Sequence, residues 1–322
     1  MEKLLQKNKT FAQDVFEGLS AKPKFLSSKY FYDERGDELF QAIMKLEEYY
    51  LTRSEYQIFK QRKDEIATSF ADGRKPFNII ELGAGDGYKT KVLLQYFQEQ
   101  NMDFRYIPID ISANVLDMLK NDLDQNFPGL KVHPYQGDYF DALKDLNYQE
   151  KTRKVIMFLG SNIGNFKETE AIDFLKKISK NLVDDDKMFI GFDLKKDPHV
   201  IRAAYNDTSG TTKAFNLNLL QRINEELGGD FDPNSFMHYP IYDPSTGQAK
   251  SYLISSKEQR VHIDALNRSF SFRQWEPIFM EVSQKYNLSD IERIAFLSGF
   301  RIEKNFFDEK GYFVDSLWSL NR

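Results

Sequence analysis

Residues 80–90 read Ile80-Glu81-Leu82-Gly83-Ala84-Gly85-Asp86-Gly87-Tyr88-Lys89-Thr90, an apolar run that enters closely spaced glycines and leaves toward an amphipathic segment. Glycines are needed where backbone approaches a ligand with no Cβ in the way, and a following helix offers free N–H groups at its first turn. A phosphate loop would need Gly-x-x-x-x-Gly-Lys-Ser/Thr, and a dinucleotide fingerprint Gly-x-Gly-x-x-Gly. The spacing of Gly83, Gly85 and Gly87 is neither. Phe104 to Ile109 predicts a second strand that ends in Asp110, where a carboxylate can accept both hydroxyls of a ribose. Far along the chain, Glu281-Val282-Ser283 reads as extended. Residues two apart in a strand share a face, so a carboxylate and a hydroxyl can reach the same side of a site there.

These groups need a scaffold, and from Pro76 to Leu194 apolar strands alternate with amphipathic helices, the pattern of a parallel sheet covered on both faces. The strands read as Phe77–Leu82, Phe104–Ile109, Lys131–Gln136, Val155–Leu159 and Met188–Phe192, and the helices as Lys89–Gln100, Ala113–Phe127, Tyr139–Leu146 and Glu168–Leu182. Ligands of such sheets bind at the carboxyl ends of the strands. Gly83 to Gly87, Asp110, Asp138-Tyr139 and Ser161 to Asn165 therefore share one rim. After Leu194 the pattern changes to helices Pro198–Tyr205 and Thr211–Leu227, then a strand-rich stretch with a turn at Asp243 to Gly247. Ser289 and Glu292 stand in capping-box spacing before a last helix, and Arg301–Phe307 with Tyr312–Leu320 predict a terminal hairpin. The division expected is a Rossmann-like α/β domain over 60–196 with 300–322, and an additional α+β domain over 1–59 with 197–299.

Composition narrows the chemistry. With 41% hydrophobic and 29% charged residues among 322 the chain has the makeup of a globular protein, and no apolar run approaches the ~20 residues of a spanning helix. Residues Met1 to Lys7 lack the apolar core of a secretion signal, and there is no cysteine, so a cytoplasmic home is expected. Thiol nucleophiles and thiolate metal sites are excluded. His133, His199, His238 and His262 are scattered without the i, i+4 spacing of a helical metal pair, so no metal is predicted. A net charge of −5 argues against a nucleic-acid surface, and the cluster Lys176, Lys177, Lys180 is diluted at once by Asp184 to Asp186. The 28 phenylalanines and 17 tyrosines are core material that a cationic ligand would also welcome. The expected partner is a small molecule, with no membrane association and a monomeric chain.

The order of strand, Gly-x-Gly-x-Gly loop with Glu81 just ahead, helix, strand and acid resembles the first motif of class I S-adenosylmethionine-dependent methyltransferases. A more specific resemblance lies in Phe31 to Phe40 (FYDERGDELF), Leu46 to Glu55 (LEEYYLTRSE), Pro108-Ile109-Asp110, Gly137-Asp138-Tyr139, Phe158 to Asn165 (FLGSNIGN), Asp193 to Asp197 (DLKKD), Ala204 to Asp207 (AYND) and Phe215-Asn216. In order and interval these motifs resemble the histidine Nα-methyltransferases of ergothioneine biosynthesis, over nearly the whole chain.

That resemblance implies S-adenosylmethionine held at Gly83, Lys89, Asp110, Asp138 and Tyr139, with Lys89 facing its carboxylate, Asp110 its ribose, and Asp138 and Tyr139 its adenine. It implies an amino-acid site at Tyr32, Tyr49, Asn165, Tyr205, Glu281 and Ser283, with Asn165 and Tyr49 closest to the chemistry. Neutral imidazole has one donor and one acceptor nitrogen, which suit Glu281 and Ser283 respectively. The phenols of Tyr49 and Tyr205 suit a substrate carboxylate, and Asn165 an α-amine. The reaction implied is methyl transfer to the α-amine of histidine, as far as the trimethylated betaine hercynine. Leu51, Asn162 and Ser251 depart from the family pattern, Ser251 standing where a methionine is usual, which implies a site of different size. Another aromatic or basic amino acid as acceptor, and a non-catalytic S-adenosylmethionine-binding regulator, are the alternatives left open.

Overall fold

Buried strands that alternate between two apolar faces build the first layer of the protein. The computed structural model describes residues 2–71, 73, 76–149 and 152–321. In chain order the first segment carries helix α1 (Glu2–Ser20), strand β1 (Lys24–Phe25) and α2 (Glu34–Met44). Then follow α3 (Tyr50–Ala71), β2 (Phe77–Leu82), α4 (Thr90–Glu99), β3 (Phe104–Asp110), α5 (Ala113–Asn126), β4 (Tyr135–Gln136), α6 (Tyr139–Gln149), β5 (Arg153–Phe158), α7 (Glu168–Ser179) and β6 (Lys187–Asp193). A helical and strand-rich stretch carries α8 (Pro198–Tyr205), α9 (Thr211–Leu227), β7 (Phe236–Asp243), β8 (Gln248–Ser255), β9 (Gln259–Ile263), β10 (Arg268–Phe272) and β11 (Pro277–Gln284). The chain ends with α10 (Leu288–Leu297), β12 (Phe300–Phe307) and β13 (Phe313–Leu320). Two compact units result: Met1–Tyr50 with Lys196–Ser283, and Leu51–Lys195 with Gln284–Arg322.

The second of these units holds a seven-stranded sheet in the order β12-β13-β6-β5-β2-β3-β4. Strands β2 to β6 pair in parallel, while β13 runs antiparallel to both β6 and β12. This is the Rossmann-like α/β architecture expected, with the terminal hairpin on one edge. Phe77, Ile79, Tyr106, Val155 and Met157 face a core closed by Ile58, Phe59, Ile66 and Phe70 of α3 and by Leu93, Leu94 and Phe97 of α4. The intervening residues Ile80, Leu82, Ile107, Ile156 and Phe158 face the opposite core, with Ile172, Leu175 and Ile178 of α7 and Ile291 and Ile294 of α10. Both faces are dry, which is why these strands read as near-continuous apolar runs. Strand order reverses between β2 and β5, the point where open α/β sheets bind their ligands.

Two local expectations are corrected. The strand predicted over Lys131–Gln136 is regular only at Tyr135–Gln136, with an isolated bridge from Val132 to Tyr106. Pro134 interrupts the stretch and has no N–H to give to a ladder, so this edge strand is short. The last helix is capped not by Ser289 and Glu292 but by Asn287 and Asp290, whose side chain accepts the Asn287 N–H at 2.9 Å. Asn287 has the extended backbone that a cap needs, and Ser289 already lies in the helix.

In the other unit, β1, β11, β8 and β7 form a four-stranded sheet, β9 and β10 a two-stranded one. Along β8 every second residue is buried, from Ala249 to Ser255, the alternation of a half-covered strand. Phe11, Val15 and Leu19 of α1, spaced four apart, join Phe215, Leu219 and Ile223 of α9 and Ile278 and Met280 of β11 in its core. The turn expected at Asp243 to Gly247 joins β7 to β8, and its Asp243 carboxylate accepts from Ser245 and Thr246. Among the described residues no helix is long and apolar enough to cross a membrane.

Candidate active site

At the carboxyl end of β2 the chain turns through Gly83, Gly85 and Gly87, all with positive φ (71°, 55° and 63°). Only glycine adopts that region freely. A Cβ placed on Gly83 would lie 3.0 Å from the Tyr139 hydroxyl and 3.8 Å from Asn162 Nδ2, so these two side chains flank the open face of the turn. Asp110, at the end of β3, is braced by the N–H groups of Ser112 at 3.0 Å and Gly85 at 3.4 Å. Burial raises its carboxyl above the ordinary range, while the backbone N–H groups of Ser112 and Gly85 oppose the shift. A ligand with two vicinal hydroxyls would satisfy the same carboxylate.

Lys89 stands at the residue just before α4 rather than within its first turn. Its ammonium pairs with Glu55, a carboxylate with no exposed surface, and lies near Gly160 in the loop after β5. Glu55 also accepts the Gly160 N–H at 2.8 and 3.0 Å. Burial works against the Lys89 charge, but Glu55 outweighs it and raises the ammonium pKa. Tyr139 packs edge-on against Phe158 and Phe174, and burial, then the negative charges of Asp110 and Asp138, push its hydroxyl up to about 12. Asp138 is exposed and accepts the Phe140 N–H at 2.8 Å, the usual duty of an aspartate ahead of a helix. Tyr88, half exposed at 51%, stacks on Tyr56 with ring centroids 5.1 Å apart.

After β5 the chain passes through Ser161, a non-glycine residue in the left-handed region at φ 56°, before a short 3-10 turn over Asn162–Asn165. Such backbone is uncommon and clusters at functional turns. The Ser161 hydroxyl accepts the Asp193 N–H at 3.0 Å, which ties this turn to β6. Gly164 lies so close to Gln284 that a Cβ would sit 2.8 Å from its carbonyl oxygen. Asn165 is thereby presented at the end of the turn, exposed, in the unit that carries the glycine loop.

Tyr32, Tyr49, Tyr205, Glu281 and Ser283 all belong to the other unit. Tyr32 meets Phe40 edge-on at 5.5 Å and Phe215 at 5.7 Å, and Phe40 in turn meets Tyr49 at 6.4 Å. The Tyr32 residue is 43% exposed, yet burial, then the nearby charge of Glu281 and the hydroxyls of Tyr49 and Tyr205, hold its phenol well above the ordinary range. The segment that carries Tyr32 is pinned from both sides. Arg222 donates to the Tyr30 carbonyl at 2.9 Å, and Asp33 accepts from Asn218 at 2.8 Å and from the Gly36 N–H at 2.6 Å. Tyr205 ends α8, and just beyond it Asp207 accepts the N–H groups of Thr211 and Thr212 at 2.8 Å. Burial opposes the charge of Asp207, but these bonds and that from Ser209 hold its carboxyl at about 2. Ser283 is buried and Glu281 partly so.

Phe40 and Phe215 complete the ring cluster, Glu55 holds Lys89, and Asn162 flanks Gly83. All four fall inside the quoted motifs, and for Glu55 and Phe215 that position was the only signal. Ser251 is buried and shares a 3.3 Å hydrogen bond with the His238 ring, which fills with a polar pair the place where the family pattern has methionine. Burial depresses the His238 ring to about 4, so it is neutral at physiological pH. Among the described residues no group of three or more histidine, aspartate or glutamate side chains is placed to hold a metal ion.

A model of the "histidine-specific methyltransferase, SAM-dependent" family matches residues 11–320. The histidine N-alpha-methyltransferase of Mycolicibacterium smegmatis is 34% identical over 306 residues, covering 95% of this chain and 93% of that one. Ergothioneine biosynthesis protein 1 of Schizosaccharomyces pombe is 30% identical over 283 residues, 86% of this chain but 36% of that larger protein. Among solved structures, an S-adenosylmethionine-dependent methyltransferase from Clostridium acetobutylicum aligns with a TM-score of 0.45 and 13% identity, over 82% of this chain and 92% of that one. By that match over residues 11–320 and by its relatives, the chain belongs to the histidine-specific, S-adenosylmethionine-dependent methyltransferase family.

Proposed function

We propose that this enzyme methylates the α-amine of L-histidine, repeatedly, to the trimethylated betaine hercynine. The observation that supports the acceptor is the ring cluster of Tyr32, Phe40 and Tyr49, in which the Tyr32 phenol feels the charge of Glu281. Glu281 accepts the imidazole N–H and Ser283 donates to the other ring nitrogen, so an acceptor without that pattern leaves a carboxylate and a hydroxyl unsatisfied. Tyr49 and Tyr205 donate to the substrate carboxylate. Tyr32 stays protonated because burial and the Glu281 charge disfavour its phenolate, so it acts as a donor and not as a base. Asn165 orients the α-amine, whose proton leaves to solvent. As N–H groups give way to methyls, the faces of Tyr32, Phe40 and Tyr49 favour the fixed positive charge.

Gly83, Asp110, Lys89, Asp138 and Tyr139 hold the methyl donor in this reading. The open face over Gly83 and the braced Asp110 carboxylate fit its methionine and ribose parts. Bound there, S-adenosylmethionine supplies an activated methyl group on a sulfonium, and the work left to the protein is alignment and exclusion of water. The working form is a cytoplasmic monomer, in keeping with a chain that has no cysteine.

Incubation with S-adenosylmethionine and single amino acids, followed by mass analysis, tests the reading. Histidine should gain one, two and three methyls. A stronger signal from another aromatic or basic amino acid would overturn the choice of acceptor, and no product from any would turn the protein into a cofactor-binding regulator.

A further inference from the structure

Behind Lys89 lies a set of ionisable side chains that the transfer chemistry leaves unused. Glu55, on α3, has no exposed surface, and its Oε1 fills the space above Gly191 of β6, where a Cβ would stand 2.3 Å away. Gly191 is the cross-strand partner of Asp315 on β13. Directly opposed residues on antiparallel strands have their Cβ positions about 5 Å apart, so the Asp315 carboxyl meets Glu55 from the neighbouring strand. Asp315 is also fully buried, and among the described residues neither of its oxygens receives a hydrogen bond.

Two facing buried carboxylates cannot both carry charge. Glu55 has the Lys89 ammonium and the Gly160 N–H to favour its anion, and Asp315 has no such donor, so the shared proton belongs on Asp315. We infer that Asp315 is a positioning residue kept as a neutral carboxylic acid: its O–H donates to Glu55 and fixes that anion, which aims the Lys89 ammonium at the carboxylate of the methyl donor. Burial first, and the Glu55 charge second, hold the Asp315 carboxyl well above the usual carboxylate range, with Lys89 opposing them. Asp315 touches neither substrate; it acts through Glu55 and Lys89. The inference rests on the reading of Lys89 as the contact for the donor's carboxylate.

Asp315→Asn keeps a donor of similar shape with no proton to lose, whereas Asp315→Leu keeps the burial and removes the donor. Calorimetric titration with S-adenosylmethionine should place Asp315→Asn within about threefold of wild type and Asp315→Leu about tenfold weaker or more, with the histidine KM steady in both. Wild-type affinity should fall in alkaline buffer as Asp315 ionises, and that of Asp315→Asn should not. The wild-type minus Asp315→Asn infrared difference spectrum should show a protonated-carboxyl carbonyl band at neutral pH, over and above that of Glu81, which both proteins share. Absence of that difference band, or unaltered cofactor affinity in folded Asp315→Leu, overturns the inference. If Asp315→Leu does not fold, the band and the pH profile of Asp315→Asn decide. Lys89→Met separates the two readings: wild-type cofactor affinity there would sink the role of Lys89, while the band still reports the protonation of Asp315.

Discussion

Around the glycine loop, polar side chains are tied down by near neighbours: Asp110 by Ser112 and Gly85, Glu81 by Thr90 and Tyr106, Lys89 by Glu55. Around Tyr32 the assembly is of another kind. Rings from residues 32, 40, 49 and 215 lean on one another, with Tyr205 and Glu281 brought in from two further segments. In the proposed function the first arrangement grips the methyl donor, and the second selects the acceptor, with a carboxylate and phenols set among carbon surfaces, where each unsatisfied polar group is expensive.

The sharpest way to break this contrast is Glu281→Ala. Loss of the Glu281 carboxylate should lower kcat/KM for histidine by about 10³-fold, since a site built to hydrogen-bond its substrate discriminates steeply. S-adenosylmethionine binding, measured by calorimetry, should stay near wild type. Discrimination between histidine and phenylalanine should narrow at the same time. Equal loss of cofactor and histidine binding would show that the two sets of residues are not separable in this way.

The contrast also explains what the sequence could tell. Gly83 to Asp110 lie on one strand, loop, helix and strand, so their order and spacing point to a nucleotide-like cofactor, and the paired strands β2 and β3 start and end within a residue of expectation. Tyr32 and Glu281 are brought near one another only by folding, and no local period links them. Their grouping was legible through resemblance alone. Glu55 and Asp315 were silent for a related reason: an acid in an amphipathic helix and an acid in a terminal strand look solvent-facing until the sheet register sets Gly191 between them. The misread cap at Ser289 is a smaller case, in which Asn287 two residues earlier offered an equally good cap and the extended backbone chose it.

A second prediction probes the cost of the tighter arrangement. Burial pushes the Glu81 carboxyl up to about 7 from its ordinary 4.5, against the hydrogen bonds from Tyr106 at 2.5 Å and Thr90 at 2.8 Å. Between those two pH values the folded protein keeps a proton that the unfolded chain releases. The stability contributed by the neutral form is therefore whole below pH 4.5 and is lost as pH climbs through 7. Glu81→Gln has no proton to lose, so chemical denaturation should show its stability rising relative to wild type by on the order of 3 kcal/mol across that window, and level above it. A difference that does not change with pH would mean that Glu81 stays ionised in the folded unit.

The smallest effect is expected at Phe40, whose ring lies between Tyr32, Tyr49 and Phe215. Phe40→Leu keeps apolar bulk but removes the negative face of one ring, so it should separate ligands by charge rather than by size. Cation–π contacts of this kind contribute about 0.5–2 kcal/mol, so hercynine should bind about twofold to thirtyfold weaker. Histidine, which reaches the transfer step with a neutral amine, should change less. The third methylation starts from the bulkiest acceptor and creates the permanent charge, so Phe40→Leu supplied with excess S-adenosylmethionine should accumulate the dimethyl form. If histidine and hercynine weaken equally, the rings serve as packing alone, and charge selection in this cluster then belongs to Glu281 and the phenols.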